Sequence, residues 1–176
     1  MIYIIGYGLF LFWEVFMKTI KNNLESEAVY SDDKTKRYSL YLEWDKNLKR
    51  ACIIMLKAGS TDGISFDKTT NLVLQNLSSI GYGGVDILNL FPSKDSDFDD
   101  SDTDNSKIID ASCKCTDTVI YAVGTGHKSN KKVQKKQDEI LDIISKYSDK
   151  LYCISDDDGK KFYHPLCPKV QKWNIT

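Results

Sequence analysis

The chain has 176 residues, of which 41% are hydrophobic, and this is enough to build one domain with a genuine core. Its 24 Lys and Arg residues nearly balance its 25 Asp and Glu residues, so the net charge is -1. A charge so close to zero does not favour a nucleic acid or an anionic membrane as the partner. We therefore expect no stable binding to duplex DNA and no association with a membrane.

The five cysteines are odd in number and lack paired C-x-x-C spacing, which argues against a disulfide framework and against a zinc ribbon. Cys113 and Cys115 form a C-x-C pair that leaves two interpretations, a metal or redox pair or two ordinary partly buried thiols, and the second is favoured. We expect reduced thiols, a cytoplasmic protein, and neither a metal site nor another cofactor.

The first sixteen residues are almost wholly apolar, with Glu14 as their only charge. They are fewer than the ~20 residues that span a bilayer as a helix, and they lack the basic start and the cleavage site of a secretory signal. Residues 1–22 are therefore predicted to be a hydrophobic leader or an extension upstream of a start at Met17. A membrane anchor and a docked hydrophobic helix are the alternatives. Residues 28–176 are predicted to form a single α/β domain.

Two β-rich runs, 38–44 and 50–56, flank the turn-forming Asp45-Lys46-Asn47 and predict an antiparallel hairpin. A helix is predicted over 68–80 from its apolar periodicity, and a buried strand over 84–90 follows it. Strand, helix and strand in this order form a β-α-β unit, so the strands 50–56 and 84–90 are predicted to be parallel.

Six aspartates crowd residues 94–104, which predicts a solvated acidic loop. A calcium loop is the weaker alternative, because the glycine and the closing glutamate of an EF-hand are missing. Further elements are predicted as a helix over 104–112, a strand over 118–123, a helix over 129–147 and a strand over 150–154. The fold class is thus α/β, a three-layer α/β/α sandwich with a mostly parallel central sheet and an antiparallel N-terminal hairpin.

Loops that follow parallel strands gather at one edge of a sheet, where open α/β folds bind their ligands. Together these loops hold an amide, an aromatic ring, carboxylates, a Gly-x-Gly and the two histidines of the chain, which are the parts of a nucleotide pocket. The candidates are Ser60, Asp62, Asp67, Asn89, Phe91, Gly124, His127 and His164. Phosphate-binding Walker and Gly-x-Gly-x-x-Gly motifs are absent from the sequence, and so is the Gly-x-Ser-x-Gly of serine hydrolases.

Lysines crowd the start of the predicted helix 129–147, where the helix dipole disfavours cations. An anionic ligand bound by Lys128, Lys131 and the free backbone N–H groups would relieve this conflict. The alternative, which is favoured, is a solvated basic surface screened by salt.

Four segments, 38–56, Asn89-Leu90-Phe91, Val123-Gly124 and 159–166 with its His-Pro-Leu, are similar in order and spacing to a family found in bacteria and phages. That family is the domain of unknown function 1643, and the resemblance covers roughly residues 30–170. Its members have Asn-Pro-Ser-Thr-Ala-Asp after the second strand. Here the corresponding residues are Lys57-Ala58-Gly59-Ser60-Thr61-Asp62, so the Asn-Pro pair is not present.

The layout is also similar to that of uracil-DNA glycosylases. This resemblance implies that Asp62 is the acid, that Asn89 reads the base, that Phe91 stacks on it and that His164 supports the leaving group. Such a likeness is an analogy of layout and does not establish an activity.

Two functions follow as expectations. The first is binding of a small nucleotide-like anion between Asn89 and the lysine-rich helix start, which would sequester a nucleotide signal. The second is a nucleoside or base N-glycosidase in which Asp62 or Asp67 activates water and His164 stabilises the leaving base. A protein-binding module that uses the acidic loop is a third possibility, and homo-oligomerisation is left open.

Overall fold

The computed structural model describes residues 18–60, 63–94, 98, 102–127, 129–170 and 172–176. Most of the predicted leader and most of the acidic loop lie outside these residues. The same holds for two predicted site residues, Asp62 and Lys128.

Seven strands and three α-helices make up the described part of the chain. The strands are β1 (Glu25–Tyr30), β2 (Arg37–Glu43), β3 (Lys49–Lys57), β4 (Tyr82–Phe91), β5 (Thr118–Tyr121), β6 (Leu151–Ser155) and β7 (Asn174–Ile175). The helices are α1 (Lys68–Ser79), α2 (Thr103–Cys115) and α3 (Lys131–Ser145). The strands form one sheet in the order β1-β2-β4-β3-β5-β6-β7.

The centre of the sheet is parallel and its margins are antiparallel. Strands β4, β3, β5 and β6 run in the same direction, whereas β1 pairs antiparallel with β2, β2 with β4, and β7 with β6. The predicted α/β fold with a mostly parallel sheet and an antiparallel N-terminal pair is therefore confirmed.

The predicted hairpin between residues 38–44 and 50–56 is wrong, because β4 lies between β2 and β3 and pairs with both. The antiparallel N-terminal hairpin is formed instead by β1 and β2. The turn at Asp45 does reverse the chain, but it packs on the start of β4, where the Gly83 carbonyl accepts hydrogen bonds from the N–H groups of Trp44 and Asp45. A local turn signal specifies a change of direction and not the neighbouring strand.

Strand β4 is buried along its entire length and lies between two apolar layers. Val85 and Ile87 belong to the cluster packed against α1, while Leu88 and Leu90 belong to the cluster shared with α2 and α3. Each fully buried aliphatic side chain contributes about 1.5–3 kcal/mol by leaving water, so the burial of this strand stabilises the packing of all three layers.

No helix among the described residues is long and apolar enough to cross a membrane.

Candidate functional site

The carboxyl ends of the four parallel strands share one edge of the sheet. The chain leaves β3 toward α1 on one face and leaves β4 and β5 toward α2 and α3 on the other face. Open α/β sheets bind ligands at such a point of divergence. Strand β3 lies between β4, which carries Asn89, and β5, which leads into Gly124. The predicted site residues consequently fall into two groups.

The first group surrounds Arg37 at the start of β2, and we call Arg37, Gly59, Asp67 and Asn89 the Arg37 cluster. Arg37 is only 2% exposed, and its Nη2 donates to Oδ1 of Asn89 at 3.4 Å. Burial lowers the pKa of the Arg37 guanidinium, and the nearby Tyr30 and Asp67 oppose that shift. A buried cation at the ligand edge was not singled out from the sequence, since a lysine- and arginine-bearing strand start is unremarkable by itself.

Asp67 in this cluster caps helix α1. Its Oδ1 accepts a hydrogen bond from the Thr70 N–H at 2.8 Å. Gly59 approaches the same carboxylate so closely that a β-carbon at this position would collide with Oδ2 of Asp67. Ser60 follows and is exposed. The loop after β3 thus brings these predicted site residues together on the α1 side of the edge.

Asn89 is 1% exposed, and its Nδ2 has no hydrogen-bond partner among the described residues. The end of the strand is held from the other face, because the buried Asn105 of α2 donates to the carbonyls of Asn89 and Leu90 at 3.0 and 3.1 Å. An unpaired buried amide costs about 1–3 kcal/mol. Such a cost in a rigidly held side chain points to a role other than stability.

The second group lines a cleft of 350 Å³ above β5, which we call the histidine cleft. It is lined by Leu56, Val123, Gly124, Thr125, Gly126, His127, Phe162, Tyr163, His164 and Cys167. Gly124 has a φ of 81°, and a β-carbon there would lie 3.0 Å from Cβ of His164. Glycine at this position lets the loop after β5 approach the histidine.

His164 is held in a defined tautomer. The Leu166 N–H donates to Nδ1 of His164 at 3.1 Å, so the neutral imidazole carries its proton on Nε2. Burial lowers the pKa of His164, and the neighbouring His127 lowers it further. At neutral pH the side chain is therefore an uncharged hydrogen-bond donor.

Phe162 is the exposed aromatic residue of the cleft. It has a φ of 68° and is 50% exposed, and it lines both the cleft and a neighbouring cavity. A bulky residue in the left-handed region costs of order 1–3 kcal/mol, and such strain clusters at binding sites. Its backbone conformation leaves no mark in the sequence, so the sequence alone does not identify this residue.

Phe91, predicted to stack on a ligand, is fully buried and does not present a ring face at the edge. It packs instead against Phe98, whose ring centroid is 5.0 Å away. Phe98 in turn lies 6.0 Å from the ring of His127. Phe91 is buried because it lies at the end of a strand that is covered on both faces. It contacts His127 only indirectly, through the ring of Phe98.

The lysine-rich start of α3 is occupied by its own cap. Oδ1 of Asn130 accepts hydrogen bonds from the N–H groups of Lys132 and Val133 at 3.0 and 3.3 Å. Lys131 is exposed, while the buried Lys136 donates to Glu139 and to Ser106 of α2 at 3.0 and 3.2 Å. This helix start also lies on the face opposite to the side chain of Asn89, so the two do not form one pocket.

The thiols do not converge on a metal. All five cysteines are free, and Cys113 is buried whereas Cys115 is exposed, as expected for residues two positions apart on a helix. Cys113 lies 3.7 Å from Cys52 between their Sγ atoms. Within the described ranges, no group of three His, Cys, Asp or Glu side chains is placed to hold a metal ion.

Comparison with known proteins returned one match. The family model described as "Protein of unknown function (DUF1643)" matches residues 37–166, a span that begins at Arg37 and includes His164. Neither the curated proteins nor the solved structures include a significant match to this chain.

Proposed function

The chain belongs to the DUF1643 family, and from this premise we propose that it binds a small nucleotide-like anion in the histidine cleft. The observation that carries the proposal is the convergence of both histidines of the chain on one cleft at the ligand edge of the sheet. An exposed and strained aromatic residue, Phe162, lines the same cleft.

Hydrogen-bond donors dominate the cleft. Among the described residues, the backbone N–H groups of Thr125, Gly126 and His127 form no hydrogen bond. Nε2 of His164 adds a side-chain donor, and the space beside Gly126 is open. Successive unpaired N–H groups in a glycine-containing turn form a concave anion site. A phosphate group, which offers only acceptors at neutral pH, is complementary to this set.

The proposal centres on the cleft because Asn89 lines neither this cleft nor the cavity beside it, and because Asn130 caps the α3 start. A nucleotide has the combination of a charged group and a planar ring that this cleft would hold. Binding of such a ligand without chemistry would sequester it.

Thermal-shift and calorimetric titrations with nucleoside monophosphates, cyclic dinucleotides and pyrophosphate test this function. We expect at least one of them to bind, with a stabilisation of about 2.7 kcal/mol at 100 times its Kd. His164→Gln should weaken that binding about tenfold, since a hydrogen bond to a charged group contributes roughly 1.5–3 kcal/mol.

Lys131→Ala is the matched control, because this exposed lysine lies at the capped helix start and outside the cleft. It should leave the affinity within about twofold, as expected for a solvated surface charge. The proposal fails if none of the compounds binds, or if Lys131→Ala weakens binding while His164→Gln does not.

The Arg37 cluster supports a second candidate, the N-glycosidase. Its specific observation is the unpaired Nδ2 of Asn89, a buried donor held beside a guanidinium at the same sheet edge. A base with an acceptor on its ring edge would satisfy this donor. Release of free base from nucleosides, nucleotides or uracil-containing DNA, abolished by Asp67→Asn or by Asp62→Asn, is the expected result. If the unmodified protein releases no base, this function is excluded.

A further inference from the structure

Tyr121, the last residue of β5, has a buried hydroxyl that no described residue satisfies. The residue is 6% exposed, and its hydroxyl has no hydrogen-bond partner. Burial raises the pKa of Tyr121 to about 12, and a side-chain hydrogen bond with Gln137 offsets this only in part. No hydrogen bond from the hydroxyl to a described residue is found from the positions of the atoms. An unpaired buried hydroxyl costs about 1–3 kcal/mol, so a partner is to be expected for it.

The hydroxyl belongs to a residue that lines a second cavity of 280 Å³. This cavity shares the wall formed by Gly124, Thr125, His127 and Phe162 with the histidine cleft. Its remaining lining residues are Tyr121, Gln137, Asp138 and Leu141.

The second cavity combines apolar walls with a mixed set of polar groups. Leu141 and Phe162 are 38% and 50% exposed, although both are large apolar side chains. They form the apolar walls of the cavity. The Tyr121 hydroxyl and the Gln137 amide can each donate and accept, and the Asp138 carboxylate accepts. Apolar walls with a few convergent polar groups are the composition of a site for a planar polar ring.

We propose that the second cavity holds the heterocyclic base of the nucleotide whose anionic group lies in the histidine cleft, with the Tyr121 hydroxyl bound to the edge of that base. The inference rests on the proposed function, since the shared wall connects the two cavities. The carboxylate of Asp138 favours a base that carries an amino group or a ring N–H. The unpaired hydroxyl thereby gains the partner that the protein alone does not supply.

The test is calorimetric titration of the full chain with AMP, GMP, CMP and UMP, compared with ribose 5-phosphate, which has the sugar phosphate and no base. We expect at least one nucleotide to bind tenfold or more tightly than ribose 5-phosphate. Tyr121→Phe should reduce that advantage at least fivefold while leaving the affinity for ribose 5-phosphate unchanged. Tyr152→Phe, on the neighbouring strand and 37% exposed, is the matched control and should change neither affinity.

Folding of the variant does not confound this test, because Tyr121→Phe removes only an unpaired hydroxyl and its melting temperature should be equal or higher. Equal binding of ribose 5-phosphate and every nucleotide would overturn the base site and leave the anion site in place. A base preference that survives Tyr121→Phe would overturn the assignment to this cavity. Binding of neither class would overturn the proposed function itself.

Discussion

Replacing Arg37 by methionine is expected to lower the free energy of unfolding by about 3 kcal/mol, because the change removes one partner of a buried polar cluster. Methionine keeps most of the volume of the arginine stem, so the loss reports the guanidinium and not a cavity. Asn89 then loses the donor that lies 3.4 Å from its Oδ1, and Asp67 loses a nearby positive charge. The figure lies at the lower end of the range for buried charges, since Asp67 is only partly buried and retains its bond from Thr70.

Urea denaturation of the single and double variants measures this effect. Adding Asn89→Leu to Arg37→Met should recover at least 1 kcal/mol, because two apolar residues in place of a polar pair leave no unsatisfied group between them. Arg50→Met is a useful comparison, as its guanidinium binds Asp86 but is 34% exposed, and it should cost less than Arg37→Met. A loss below 1 kcal/mol for Arg37→Met would show that the cluster contributes little to the native state.

The parallel core of the fold was predictable because each of its segments carries a local signal. The strand 84–90 is continuously apolar and bounded by Gly and Pro, and the helices over 68–80, 104–112 and 129–147 appear as α1, α2 and α3. Local periodicity determines the type of an element and the alternation of strands and helices, from which the β-α-β connection follows.

The remaining features depend on contacts between distant residues. Strand β1 is largely exposed and so lacks an apolar pattern, while the insertion of β4 between β2 and β3 results from the need to bury its apolar surface on both sides. The site also depends on contacts between residues that are distant in the sequence. Arg37 and Asn89 are 52 positions apart in the sequence. The regular pairing of β2 with β4 begins at the Ser39–Leu88 pair, and before it only the isolated Lys36–Ser93 bridge joins these segments. No short window of sequence contains that geometry.

The predicted ligand edge treats the ends of the parallel strands as one pocket, whereas the structure separates the residues named there. The two faces of the sheet divide the edge, because side chains alternate along β4 and Asn89 follows the parity of Val85 and Ile87. The two proposed functions share His164 and differ in the Arg37 cluster, so substitutions of Asn89 discriminate between them.

Gly124→Ala is expected to weaken the proposed anion binding in the histidine cleft more than tenfold and to lower stability by about 2 kcal/mol. Alanine in the left-handed region costs roughly 1–2 kcal/mol. In addition, its β-carbon would lie 3.0 Å from Cβ and 3.5 Å from the backbone nitrogen of His164. The His164 segment must then shift by a few tenths of an ångström, which misdirects Nε2.

Gly126→Ala isolates this effect, because Gly126 belongs to the same loop and a β-carbon there would meet nothing within 4 Å. We expect a gain in stability of about 0.4–1 kcal/mol from the less flexible unfolded chain, with ligand affinity within about twofold. Thermal denaturation and calorimetry on both variants provide the comparison. Equal effects of the two substitutions on affinity would contradict this prediction, because the close approach of Gly124 to His164 would then have no part in recognition.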